Sequence, residues 1–193
     1  MVTSKNCSIF AIDMNNITSE LAKLHTLTGA EFSRQVERIA QRKEFHPLDT
    51  DNDIYTVGGE NSDDYQNLLI AARKAVEFGY KVYMLPNPTE TRTPDFIFYK
   101  KGVYRTYDLK TVFGKASIGG TLLDSVGQCN SILINMTTEY NSRRLAVAIK
   151  KYFEIIEKAI DILIFKGGKR ISVKRALAKN NNFLRMFVKL YER

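Results

Sequence analysis

Two aspartates and a lysine stand where a single β-turn would gather them. Phe96–Tyr99 and Val103–Leu109 are runs rich in aromatic and β-branched residues, joined at Lys100-Lys101-Gly102, and they read as an antiparallel hairpin. A turn symmetric about the Lys101–Gly102 bond sets Tyr99 opposite Tyr104, Ile97 opposite Thr106 and Asp95 opposite Asp108. Directly opposed side chains have Cβ atoms about 4.5–5.5 Å apart, so like charges there repel unless something compensates them. A divalent cation would do so. Side chains alternate along a strand, which sends Lys110 to the same face as Asp108. Two carboxylates and an amine suit metal-assisted hydrolysis of a phosphodiester. Mg²⁺ takes one or two carboxylates, several waters and the substrate phosphate, and the amine shields charge developing on the phosphorus oxygens. Asp95, Asp108 and Lys110 are therefore the expected catalytic residues, with both acids as metal ligands. No Ser–His or Cys–His pair competes. Cys129 reads as packing, and His25 and His46 lie outside the expected core.

The elements that must hold this hairpin follow from periodicity. Apolar residues at Ile17, Leu21, Leu24 and Leu27, then Phe32, Val36 and Ile39, predict two short helices broken near Thr28-Gly29. Pro47 ends the second. Leu48 to Asp53 reads as a polar, acidic linker, which puts residues 1–53 in a helical extension and residues 54–193 in the main domain. Residues 60–78 predict a long helix, with Ser62 as cap, Asp63 and Asp64 in its first turn and Leu68, Leu69, Ala72, Ala75 and Val76 as its apolar stripe. Gly79 closes it, and Lys81–Leu85 follows as a strand. Beyond the hairpin a helix is expected from Gly120 to about Asn130 and a strand at Ile132–Met136. A helix from Ser142 to about Lys158 comes next, with Leu145, Ile149, Phe153 and Ile156 inward. A second hairpin flanks Gly167-Gly168, and a basic helix at Ala176–Tyr191 closes the chain. The whole is an α/β arrangement with a mixed sheet.

Composition narrows the class. The chain has 193 residues, 44% hydrophobic and 26% charged, enough to bury a sizeable core, which excludes disordered and collagen-like classes. Two cysteines far apart in sequence, and a start lacking the order of a secretory signal, lead to the expectation of a reduced, cytoplasmic protein without a membrane span. Charge is uneven: residues 1–95 hold 10 basic and 14 acidic side chains, residues 96–193 hold 19 and 7. A basic half favours a polyanionic partner, nucleic acid foremost. Arg143, Arg144, Lys150, Lys151, Lys169, Arg170, Lys174 and Arg175 are the residues expected to contact a phosphate backbone. Tyr99 and Tyr104 are candidates for stacking a base, against a core role for both.

Thr93-Pro94-Asp95-Phe96, twelve residues after Asp95, then Asp108-Leu109-Lys110 resembles the PD-(D/E)XK nuclease signature. The surrounding elements repeat that superfamily's αβββαβ order, so the resemblance implies a restriction-endonuclease-like core with an N-terminal helical extension and a C-terminal αββα addition. More narrowly, Gly79-Tyr80-Lys81-Val82 into Leu85-Pro86, together with Pro94-Asp95 and Asp108-Leu109-Lys110, is similar to the C-terminal tRNase domains of CdiA-type contact-dependent growth inhibition toxins. The match covers residues 60–136. It implies a metal-dependent endonuclease with Mg²⁺ or another divalent cation as cofactor, RNA and in particular tRNA as substrate, and an immunity protein as partner. It also implies an acid from the first helix, Asp64 with Glu60 or Asp63 as substitutes, and a polar residue near the second, Gln128 or Ser117. Asp108 stands where Glu is commoner. The rival readings are a DNA nuclease of the same fold and a non-catalytic nucleic-acid-binding or structural protein of a mobile element.

Overall fold

A computed structural model describes residues 16–58, 64–86, 93–114, 118–124 and 129–193. It is a mixed α/β protein in which, among the described residues, eight strands follow chain order, and it divides into two compact units, Met1–Thr106 and Tyr107–Arg193.

In the first unit, α1 (residues 16–23) runs into a 3-10 turn at Leu24–Thr26, and α2 (Gly29–Ala40) follows. The break falls where the sequence places it: Thr28 is extended at the N-cap and Gly29 takes φ +56°, a conformation open to glycine at no steric cost. Ile17, Leu21, Leu24, Val36 and Ile39 then meet Tyr83, Leu85 and Ile97 in one core. Glu20 fastens the two helices, accepting from Gln35 Nε2 at 2.9 Å and from Arg42 Nη1 at 2.8 Å. The other arm of Arg42 reaches Glu44 at 2.6 Å, and that hydrogen bond holds the Glu44 carboxyl below its ordinary range.

The expected linker is instead a hairpin. β1 (His46–Leu48) pairs antiparallel with β2 (Asp51–Thr56), and β2 pairs parallel with β3 (Lys81–Met84), Ile54 level with Val82. Residues 16–53 are thus built into the first unit's core and sheet, and the chain divides after Thr106 rather than near Asp53. Helix α3 (Tyr65–Glu77) joins β2 to β3, burying Leu68, Leu69, Ala71, Ala72 and Ala75. The expected cap Ser62, with Glu60 and Asp63, lies outside the described residues. Gly79, at φ +75°, ends the helix by donating to Val76 O, and Lys100 Nζ donates to Phe78 O. β4 (Phe96–Lys100) pairs antiparallel with β3, then turns into β5 (Val103–Val112). Lys101 and Gly102 both have positive φ, 51° and 79°, as a two-residue hairpin turn matching strand twist requires. The Tyr99 and Tyr104 rings lie 4.6 Å apart, in keeping with the symmetric turn.

The second unit receives the rest of β5, which pairs parallel with β6 (Ser131–Met136); β6 pairs parallel with β7 (Asp161–Lys166), and β7 antiparallel with β8 (Lys169–Lys174). Parallel neighbours need a crossover, supplied here by α4 (Ile118–Leu123) and α5 (Ser142–Ile155). Both helices bury apolar residues against one sheet face, where Val112, Ile132, Ile134, Met136, Ile162 and Ile164 meet Leu122, Leu145, Ile149 and Phe153. Each such side chain, fully withdrawn from water, contributes about 1.5–3 kcal/mol. The closing helix is two pieces, α6 (Arg175–Ala178) and α7 (Phe183–Glu192), the second burying Phe183, Phe187 and Tyr191. Among the described residues no helix is long and apolar enough to cross a membrane.

Candidate functional site

In the second unit, Asp108 and Lys110 stand two residues apart on β5, level with Ile132 and Ile134 of β6. They point to the face that α4 and α5 cover, since Val112, two residues further on, joins that core. This pair is an ion pair: Lys110 Nζ lies 2.8 Å from Asp108 Oδ2, with side-chain exposures of 16% and 5%. Such a pair holds its charge in place far more firmly than a solvated one, because separating the partners strands a charge away from water. Alternation along one strand brings the two side chains of this Asp-X-Lys segment to the same face. Oxygen donors of this kind are what Mg²⁺ prefers, and the cation needs only one or two from protein. Among the described residues no group of three or more His, Cys, Asp or Glu gathers to hold a metal ion.

Asp95 belongs to the first unit. It precedes β4, is 8% exposed, and its carbonyl accepts from Leu85 N at 2.9 Å, extending the β3–β4 pairing by one step. Thr93 beside it is buried, its hydroxyl donating to Pro86 O at 3.4 Å. The Thr-Pro-Asp segment is therefore packed against the end of β3. Asp64 is exposed at the N-cap of α3, its carboxylate accepting from Asn67 Nδ2 at 3.4 Å and capping no backbone amide. Gln128 and Ser117 lie outside the described residues.

Tyr99 and Tyr104 are half-buried against the first unit's core, where Tyr83 lies 6.4 Å from Tyr104 and 5.1 Å from Tyr55. Burial pushes the Tyr83 phenol up to about 12, helped by Tyr104 and Tyr55. These rings are packing, the alternative to base stacking.

The eight basic residues do not form one track. Arg143, Arg144 and Lys151 are exposed on α5, and Lys150 is half-buried there. Lys169, Arg170 and Lys174 are exposed on β8, where Arg170 and Lys174 stand opposite Phe165 and Asp161. Arg170 and Lys174 face away from α5, because the alternate residues Ile171 and Val173 are the ones in its core, whereas Lys169 stands on the same side as those two. Arg175 departs furthest from a backbone-contact role. Its Nε donates to Ala159 O at 3.0 Å and its Nη1 to Phe153 O at 2.7 Å, with Nη2 on Ile156 O. The guanidinium caps the last carbonyls of α5 and lies over the Phe153 ring. A charge count cannot tell a capping arginine from a phosphate clamp.

One buried acid escaped sequence reasoning. Asp161 opens β7 at 3% exposure, and the Tyr107 hydroxyl donates to its Oδ2 at 3.3 Å, on the sheet face opposite Asp108. An aspartate at the head of the apolar run Ile162–Phe165 was the available signal.

No family model matches the chain, and comparison with curated proteins and with solved structures gives no match either.

Proposed function

We propose that the chain is a divalent-metal-dependent endonuclease with a restriction-endonuclease-like core, acting on RNA and on tRNA in particular. The observation that carries this reading is the buried Asp108–Lys110 pair, 2.8 Å apart on a strand whose neighbour in the chain, β4, is led by Pro94-Asp95. The run α3, β3, β4, β5, α4, β6 supports it, being the αβββαβ order of that class. So does charge: residues 107–193 hold 16 basic against 7 acidic side chains. On this reading Asp108 would hold the cation and Lys110 would orient the water or shield the phosphate, with Asp95 the second ligand that the resemblance implies. Bound Mg²⁺ supplies Lewis acidity and a lowered pKa for a coordinated water. The RNA preference, and an immunity protein covering the basic surface, rest on the toxin resemblance.

The test incubates labelled tRNA and labelled duplex DNA with the protein, in Mg²⁺ and in chelator, beside Asp108→Ala. Cleavage of tRNA only with Mg²⁺ and only by the wild type is expected. Cleavage of duplex DNA alone moves the assignment to a DNA nuclease; identical behaviour of wild type and variant on every substrate removes the enzyme reading.

A further inference from the structure

Within the second unit, α4 and the outer side of α5 border a cleft of about 760 Å³. Tyr140, Val147 and Ala148 give it apolar walls, and Arg143, Arg144 and Lys151 a cationic rim. Its size falls in the range of small-ligand sites. We propose that this cleft binds a single nucleotide of an unpaired strand, its phosphate on Arg143, Arg144 and Lys151 and its base against Tyr140 and Val147. The inference rests on the nuclease reading only in naming a polynucleotide as the ligand.

Charge placement carries the argument. Arg143 and Arg144 occupy the first turn of a 14-residue helix that has no acidic residue there. The positive end of the helix dipole disfavours cations at that position and favours anions. Among the described residues no carboxylate pairs with Arg143, Arg144 or Lys151. Three uncompensated cations around one concavity, two of them against the dipole, break a local rule of helix design that sequences otherwise keep, and such breaks concentrate at functional sites. An anion entering the cleft would satisfy all three.

The walls select which anion. Val147 is 51% exposed, a half-uncovered apolar side chain one turn beyond Arg143, with Lys151 one turn further along the same side of α5. A bare phosphate leaves that apolar surface wet, whereas a nucleotide carries an anion and a flat face of matching kind. In a duplex the bases are stacked and paired, so the form that can enter is a single strand or a loop nucleotide turned out of its stack. The rim is held in place by the local fold. Asn141 Oδ1 accepts from Arg144 N at 2.9 Å, fixing the helix start, and Tyr140 Oη accepts from Ile118 N at 3.4 Å, tying that ring to α4.

The test measures anisotropy of a labelled single-stranded RNA octamer in chelator, with the full chain. Wild type, Arg143→Gln/Arg144→Gln and Val147→Asp are compared across monovalent salt, beside a duplex of the same sequence. Each lost phosphate contact lowers the salt slope by about 0.7 for a single strand, so the double variant binds about 25-fold more weakly at 0.1 M salt with a slope lower by about 1.4. Val147→Asp binds more weakly than the wild type, and the duplex binds worse than the single strand. The inference falls if the double variant, shown folded by its circular dichroism melt, keeps wild-type affinity and slope. It falls equally if the duplex binds as tightly as the single strand, or if polyglutamate of equal charge competes as well as the octamer. Octamer binding that follows these expectations without Mg²⁺-dependent cleavage of any substrate upholds the cleft and removes the nuclease. Cleavage with an unaffected double variant does the reverse.

Discussion

Removing the ammonium from the Asp108–Lys110 pair tests both its burial and its affinity for a cation. Lys110→Met keeps an unbranched apolar stem of similar reach and deletes the charge. Asp108 is left with a side chain only 5% exposed and without the partner that stood 2.8 Å away. Breaking a buried pair on one side costs about 3–5 kcal/mol. A chain of this size loses about 2–4 °C in Tm per kcal/mol, so in chelator the variant melts roughly 6–20 °C below the wild type. The companion variant Asp108→Asn/Lys110→Met, which removes both charges, recovers most of that loss. Mg²⁺ then adds a directional check. At a hundred times its Kd a ligand stabilises the state that binds it by about 2.7 kcal/mol. It should raise Lys110→Met more than the wild type, where the ammonium competes for the same carboxylate, and should leave the doubly neutral variant unmoved. Calorimetric melts of the three proteins, each with Mg²⁺ and with chelator, give the answer. A Lys110→Met melt within a degree of the wild type would show that the carboxylate is not held away from water. An Mg²⁺ shift as large without Asp108 as with it would place the cation elsewhere.

Two further outcomes follow from groups that the structure has engaged. Arg175→Ala, which frees the Phe153 and Ile156 carbonyls at the end of α5 and the Ala159 carbonyl beyond it, lowers stability in urea by about 2 kcal/mol or more while leaving octamer affinity unchanged; Arg175→Lys recovers only part, because one ammonium cannot match a planar fork on three carbonyls. Tyr83 and Tyr191 are both pushed up to about 12, chiefly by burial, so the folded state holds their protons longer than the unfolded one. Their contribution is fully present below pH 10 and is lost as pH rises from 10 to 12. Absorbance titration should show both phenols ionising late, and Tyr83→Phe should remove one of the late steps; a Tyr83 phenol titrating near 10 in the folded protein would contradict its burial.

Local patterns were read well where one element explains itself. The split between α1 and α2 at Thr28-Gly29, the stripe of α3, the Lys101-Gly102 turn and the inward face of α5 all follow from spacing, turn chemistry and side-chain alternation. Failures came where a partner far along the chain decides. Leu48–Asp53 looks like a linker because Asp51, Asn52 and Asp53 are poor strand formers, yet β2 is held by Ile54 beside Val82, a pairing across α3. The closing helix breaks because Asn180, Asn181 and Asn182 interrupt it, a turn signal hidden inside an otherwise helical period. Arg175 shows the same limit at a side chain: its donors answer carbonyls that lie 16 to 22 residues earlier. The Asp-X-Lys pair was legible because both residues share one strand, whereas Asp161 and its phenol donor are 54 residues apart.

Strand β8 pairs with β7 and, among the described residues, with no other strand, which leaves a row of backbone donors and acceptors at a sheet margin. Such a margin invites a second copy to continue the ladder. Here two copies meeting along β8 would press Lys169, Arg170 and Lys174 of one against like charges of the other, within the ~8 Å over which charges still feel each other at physiological salt. Repulsion at this border guards against self-templated stacking of chains, and added salt relaxes that guard.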